Sequence, residues 1–181
     1  MTTLNDWHKE NLARQHEAFA PPHSLEALVV CVGEEVGELC AAMLGVTGEK
    51  KRKAHLTNAD VLDACADAFT YCALVVGAVG TSDLEGLLGL QLSEVPVGDL
   101  SPLRRTLQLQ ALTGKLAEAA IDDMFVARAA RSVMWSLVSL AKSRECTDFA
   151  KLLGDTFNMV SDRAGSKIRT RLGQQPIAAA G

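Results

Sequence analysis

Residues 24–45 read SLEALVVCVGEEVGELCAAMLG, and the fold turns on how that stretch is taken. Its apolar residues Leu25, Leu28, Val29, Val32, Val36 and Leu39 recur at three- and four-residue steps, the period of a helix face. Ser24 is placed to cap the first turn and Gly45 stands near the last, so the spacing predicts a helix over about 24–45. Inside it, Glu34 and Glu38 are four apart and Glu35 and Glu38 three apart, so three like charges share one side of one turn. They repel each other. The same stripe runs on through Cys31 and Ala42, small apolar residues that do not mark a water-facing side. A hard cation such as Mg²⁺ would resolve the conflict, because clustered oxygen ligands are what it requires.

Outward from this helix the same periodicity persists. Helices are expected at about 4–19, 57–79, 102–120, 124–142 and 147–163, with a short one from Ser82, and the chain reads as all-α. Pro21-Pro22 closes the first, Thr57 or Asn58 caps the third, Gly80 ends it, and Ser101-Pro102 is an N-cap with proline at the first helical position. SEVPVGDLSP is the best internal boundary, dividing an N-terminal unit, 1–92, from a C-terminal unit, 101–168, packed on it in one compact domain. QQPIAAAG is expected to fray.

With 181 residues, 48% of them hydrophobic, the chain can bury a core, and a net charge of -4 gives no footprint for duplex nucleic acid. The longest uninterrupted apolar stretches, ALVVCVG and CALVVGAVG, fall short of a membrane span, and a cytoplasmic protein is expected. The five cysteines form no CxxC pair and are expected to be reduced core residues. No GxxxxGK[ST] is present, and none of His8, His16, His23 or His55 follows a glutamate by three, which excludes P-loop and di-iron carboxylate readings.

A second acidic stripe decides between a solvated face and a metal site. ADVLDACADAFTYC carries Asp60, Asp63 and Asp67 at i, i+3 and i+7 among alanine, cysteine and phenylalanine, with no lysine or arginine within a turn. A solvated helix face normally mixes its charges. Unmixed acid on two helices favours a cation.

GEEVGEL followed, after a basic loop, by LDACADAFTY resembles the paired acidic motifs of the all-α nucleoside triphosphate pyrophosphohydrolases, the MazG-like proteins and their relatives the dimeric dUTPases. FNMVSDRAGSKI, residues 157–168, is similar to the closing segment of some members. The resemblance covers 24–80 well and 85–145 poorly. It implies a helical bundle that hydrolyses a nucleoside triphosphate to the monophosphate and pyrophosphate with Mg²⁺, or Mn²⁺ in its place, as a homo-oligomer, most simply a dimer. Glu35 and Glu38 match the first motif and Asp67 the second; Ala64 stands where many members carry a carboxylate, and Asp63 lies one residue earlier. By this resemblance Glu35, Glu38, Asp63 and Asp67 hold the metal, and Glu34 or Glu35 orients and deprotonates the attacking water. Lys50, Lys51, Arg52 and Lys53 either steer the phosphates or simply solubilise a loop; Asn158, Arg163 and Lys167 are further substrate-binding candidates. Tyr71, Trp7 and Trp135 are core or base-pocket aromatics. The alternative is a non-catalytic helical protein that binds a nucleotide or a partner.

The two halves also look alike in outline. VGELCAAM can be laid on TGKLAEAA and TSDLEGLL on CTDFAKLL, an internal duplication or the chance likeness of two helical hairpins. On the first reading Lys115 takes the place of Glu38, Gln110 and Ala111 lie around those of Glu34 and Glu35, and Arg128 and Arg131 fall in the Asp67 region.

Overall fold

A computed structural model describes residues 3–18, 22–50 and 55–159. Among them every regular element is helical: α1 (Leu4–Ala18), α2 (Leu25–Val46), α3 (Asn58–Ala78), α4 (Leu84–Leu88), a 3₁₀ turn at Leu92–Glu94, α5 (Pro102–Ile121), α6 (Val126–Ser143) and α7, which runs from 149 to the last described residue, 159.

The caps follow their chemistry. Ser24 accepts from the Ala27 N–H at 3.3 Å and Ser101 from the Arg104 N–H at 3.4 Å, as expected. Thr57 caps α3, its N–H and hydroxyl donating to Asp60 at 2.6 and 2.7 Å. Two starts differ from the sequence reading. α4 begins at Leu84 and α7 at 149, later than Ser82 and 147, because Asp83 and Asp148 each cap with a side-chain oxygen and leave the residues before them in the turn. α2 runs through buried Gly45 and stops at the turn where Gly48 takes φ +77°.

Four helices form the body. α2 packs on α3 and α5, and α6 packs on the same two, so the ring runs α2, α3, α6, α5. The Asn58 amide donates to the Arg144 carbonyl and Arg105 to the Ser139 hydroxyl, so α3 and α5 both begin where α6 ends. α3 and α5 are thus parallel on a diagonal, and the chain must travel the length of the bundle between them. Its crossover, 79–101, does so along α6: Arg131 donates to the Leu87 carbonyl, Lys142 to those of Ser93 and Val95, and Ser139 to that of Pro96. α1 lies on α3 and α4; Gly77, lacking a Cβ, lets Leu12 come against α3. Trp7, Phe69 and Phe149 join α1, α3 and α7, with ring centroids 6.0 and 5.3 Å apart along the row.

α3 is long and apolar enough by composition to cross a membrane, at a mean hydropathy of 1.5, although its uninterrupted apolar runs are short. Here it is a core helix, with Val61, Cys65, Phe69, Cys72 and Val76 fully buried. All five cysteines are free thiols, Cys65 and Cys72 buried and Cys31, Cys40 and Cys146 half-buried.

The end of α3 is repeated at the end of α6. Gly80 and Glu145 both take positive φ, +83° and +67°. The N–H groups of Gly80 and Thr81 bond the carbonyls of Gly77 and Val76; those of Glu145 and Cys146 bond the carbonyls of Lys142 and Ala141, each partner shifted by 65 residues. Asp83 then caps α4 by accepting from the Gly86 N–H at 2.8 Å, and Asp148, again 65 further on, caps α7 from the Lys151 N–H at 2.9 Å. The two short helices are exchanged between hairpins, α4 packing on α6 while Phe149 of α7 packs on Phe69 of α3.

His8, fully buried, donates through Nε2 to the Thr81 carbonyl at 3.2 Å, and its Nδ1 has no partner among the described residues. Burial holds its pKa below 6.5, against the raising effect of the Thr81 bond. The unfolded chain therefore takes up a proton that the folded chain refuses, so this stabilisation is present above about pH 6.5 and lost as pH falls below it. Urea unfolding between pH 7.5 and 5.5 should show the loss, at up to ~1.4 kcal/mol per pH unit, in wild type relative to His8→Gln. Equal slopes in the two proteins would remove His8 as its source.

Candidate active site

The acids meet where α2 lies on α3. Val32, Val36 and Leu39 bury one side of α2, which turns Glu34, Glu35 and Glu38 to the other; small Ala64 and Ala68 keep the α3 backbone near, beside Asp63 and Asp67. Glu34, Glu38 and Asp63 are exposed, Glu35 and Asp67 half-buried. The Glu35 carboxyl is pushed up to about 7, first by burial and then by the charges of Asp67, Glu38, Glu34 and Asp63. The other four predicted acids are thus all near enough to act on the Glu35 carboxyl. Ala64 is buried while Asp63 is exposed, so Asp63 lies at the rim of the cleft and not at the buried position one residue on.

Asp60 does not continue the second stripe. It belongs to the α3 cap, and the Thr57 bonds hold its carboxyl below the usual range.

Tyr71 stands one turn beyond Asp67. Its hydroxyl is pushed up to about 12 by burial and by the charges of Cys31, Glu35, Asp67 and Glu34. Burial, with Glu34 and Glu35, raises the Cys31 thiol, so neither group ionises near neutrality.

The cleft also has a cation that no motif signalled. Arg14 of α1 donates to Asn11 Oδ1 at 2.8 Å and to the Phe157 carbonyl at 3.3 Å, and its guanidinium lies 4.6 Å from the centre of the Phe157 ring. Burial lowers its pKa, while Tyr71 and Asp67 oppose the shift, which puts it at the α3 side of the acidic cleft. Buried Asn11 fixes it by donating in turn to the Thr70 carbonyl at 3.4 Å. Only the first-helix periodicity could have hinted at Arg14.

Of the other substrate-binding candidates, Lys50 and Asn158 are described, and no described contact brings either to the acids. Lys50 sits in the turn after α2, its amide bonded to the Leu44 carbonyl, and no described contact joins its side chain to the acids. Asn158 lines a separate open groove of about 1300 Å³ that also touches Trp7, Glu85 and Phe149. Lys53, Arg163 and Lys167 lie outside the described residues. Trp7 belongs to the core, and half-buried Trp135 carries Arg131 stacked 4.5 Å from its ring centre.

Among the described residues no three His, Cys, Asp or Glu side chains converge closely enough to share one metal ion. The donors are all carboxylate oxygens, and Mg²⁺ is commonly bound by one or two carboxylates while waters and substrate phosphates fill its other positions. The residues fit that mode and do not fit a closed all-protein cage. No known protein-family model, curated protein or solved structure matches the chain.

Proposed function

We propose that the chain hydrolyses a nucleoside triphosphate to the monophosphate and pyrophosphate at the α2–α3 cleft, with Mg²⁺ as its ion. The observation that carries this reading is the gathering of four carboxylates, on two adjacent helices, around Glu35, whose carboxyl they and burial push to about 7. Glu35 and Asp67 would hold the ion, with waters and substrate phosphates in its other positions and Glu38 and Asp63 facing it from the rim without a direct bond. Once bound, it would screen the triphosphate from the carboxylates and polarise the phosphorus under attack.

The remaining roles belong to the chain itself. Glu35, whose carboxyl the fold holds well above the usual carboxylate range, can take a proton from water, with Glu34 beside it to orient that water. Tyr71 keeps its proton and can donate a hydrogen bond. Arg14 offers a fixed positive charge, one that need not be ordered when substrate arrives. Arg14→Gln is expected to raise KM about tenfold with a smaller change in kcat, as loss of one charge-assisted contact would. An unchanged KM would leave Arg14 as a tether between α1 and α7.

The repeated helix ends support an internal duplication, in which the α5–α6 hairpin stands as built-in partner to α2–α3. A dimer is then not required to complete the four-helix body.

The test is pyrophosphate release with Mg²⁺ across ribonucleoside and deoxyribonucleoside triphosphates. Release from none of them would end the hydrolase reading. Among the described residues no three ligands converge, which favours the second reading, a nucleotide binder without turnover, and saturable triphosphate binding with no release would select it.

A further inference from the structure

The shift of 65 that relates the end of α3 to the end of α6 also relates their buried faces: Val61, Cys65, Phe69, Cys72 and Val76 correspond to Val126, Ala130, Met134, Leu137 and Ala141, all buried. For α2 and α5 the caps Ser24 and Ser101 set a shift of 77, which lays buried Leu28, Val32 and Leu39 on buried Arg105, Leu109 and Leu116. The two shifts carry Glu35, Glu38, Asp63 and Asp67 onto Leu112, Lys115, Arg128 and Ser132. These four residues, brought together from two helices, line one cleft of about 510 Å³ between α5 and α6. The place of the acidic cleft is kept in the second hairpin, and its chemistry is reversed.

We propose that this α5–α6 cleft is a second ligand site, which takes a phosphate-bearing molecule directly, without metal. Arg128 and Lys115 are exposed and supply the charge that a metal would otherwise supply. Arg128 lies in the first turn of α6, whose N-cap, Phe125, makes no side-chain capping bond, so the positive end of that helix adds to the same corner. Leu112, Met124 and Phe125 give the cleft an apolar wall, with Met124 and Phe125 56% and 71% exposed. Phe125 is held at φ +58°, a conformation costly for an aromatic residue and one that leaves its ring at the cleft. Glu118 and Asp122 also line the cleft, so the lining is electrically balanced overall, and these two acids oppose the anion that Lys115 and Arg128 attract.

The site does not depend on hydrolysis at the first cleft, and its test is done without metal. The full chain in EDTA would be titrated calorimetrically with inorganic pyrophosphate and, separately, with ADP. Saturable binding is expected, weakened tenfold or more in the Lys115→Gln, Arg128→Gln double variant and unchanged in Glu38→Gln. Asp122→Asn should tighten it. Tighter binding of ADP than of pyrophosphate would mark a nucleotide with its base on the apolar wall; equal binding would mark the diphosphate group alone. Because both basic residues are exposed, thermal unfolding of the double variant should match wild type, and if it does not, Arg128→Gln alone, expected to weaken binding severalfold, takes its place. No saturable binding to millimolar concentration, binding indifferent to the double variant, or binding lost in Glu38→Gln would each overturn the proposal.

Discussion

Glu35→Gln should abolish triphosphate hydrolysis and, in the same protein, raise stability at alkaline pH. The two effects have one cause. Glu35 is half-buried among four carboxylates, and its pKa rises from 4.5 to about 7 on folding. Between those values the folded chain holds a proton that the unfolded chain has released, so stability falls as pH rises through the window. Above pH 7 the cost is complete, and discounting the shift for the solvent that reaches this side chain leaves about 1–2 kcal/mol. Glutamine keeps the shape and removes the charge. Turnover should fall by about 10³-fold or more, as expected when a proton acceptor and a metal ligand are lost together. Urea unfolding of wild type and variant in EDTA at pH 5 and pH 8 gives the stability arm, which the opposite slope from His8 does not obscure because both proteins carry it. Mg²⁺ should narrow the wild-type deficit at pH 8. If the variant is no more stable at pH 8 than wild type, the crowding of charge at Glu35 is wrong; if turnover survives, or survives in Glu38→Gln and Asp67→Asn, the site is.

Phe69→Ala should cost about 3–5 kcal/mol, the range for deleting a buried ring that leaves a cavity. Phe69 is fully buried and is the middle of the row Trp7, Phe69, Phe149, so its removal takes a ring contact from each of two further rings and loosens α1 and α7 from α3 together. That is a large share of the 5–15 kcal/mol by which a domain is typically stable. Chemical unfolding measures it directly, and Phe69→Leu should recover part of the loss. A cost below ~1 kcal/mol would mean that α1 and α7 are held by other contacts.

The helices were legible because Ser24, Thr57, Ser101-Pro102 and Gly80 each have a local reason to start or stop a helix, and local chemistry survives folding. The acid pair was legible because three- and four-residue spacing fixes a face. Asp60 fits the same spacing yet serves a cap, since Thr57 three residues earlier offered a nearer use for its carboxylate. Arg14 and His8 were not legible: each gets its role from contacts with α3, α7 or the turn after α3, and no spacing within α1 encodes those. The likeness of TSDLEGLL to CTDFAKLL was visible, but the matching bonds around Gly80 and Glu145 and the two aspartate caps, each 65 residues apart, were not, because no residue type shared by Gly80 and Glu145 signals them.

The burial of α3 also sets a timetable. Phe69 leaves the ribosome about 80 residues ahead of Phe149, the ring that covers its far side. At ~5–20 residues per second that is a wait of about 4–16 s for a helix apolar enough to be taken for a membrane span. During synthesis this segment is the one a nascent-chain chaperone should occupy, and slowing elongation after residue 78 should lower the yield of folded protein more than slowing it before.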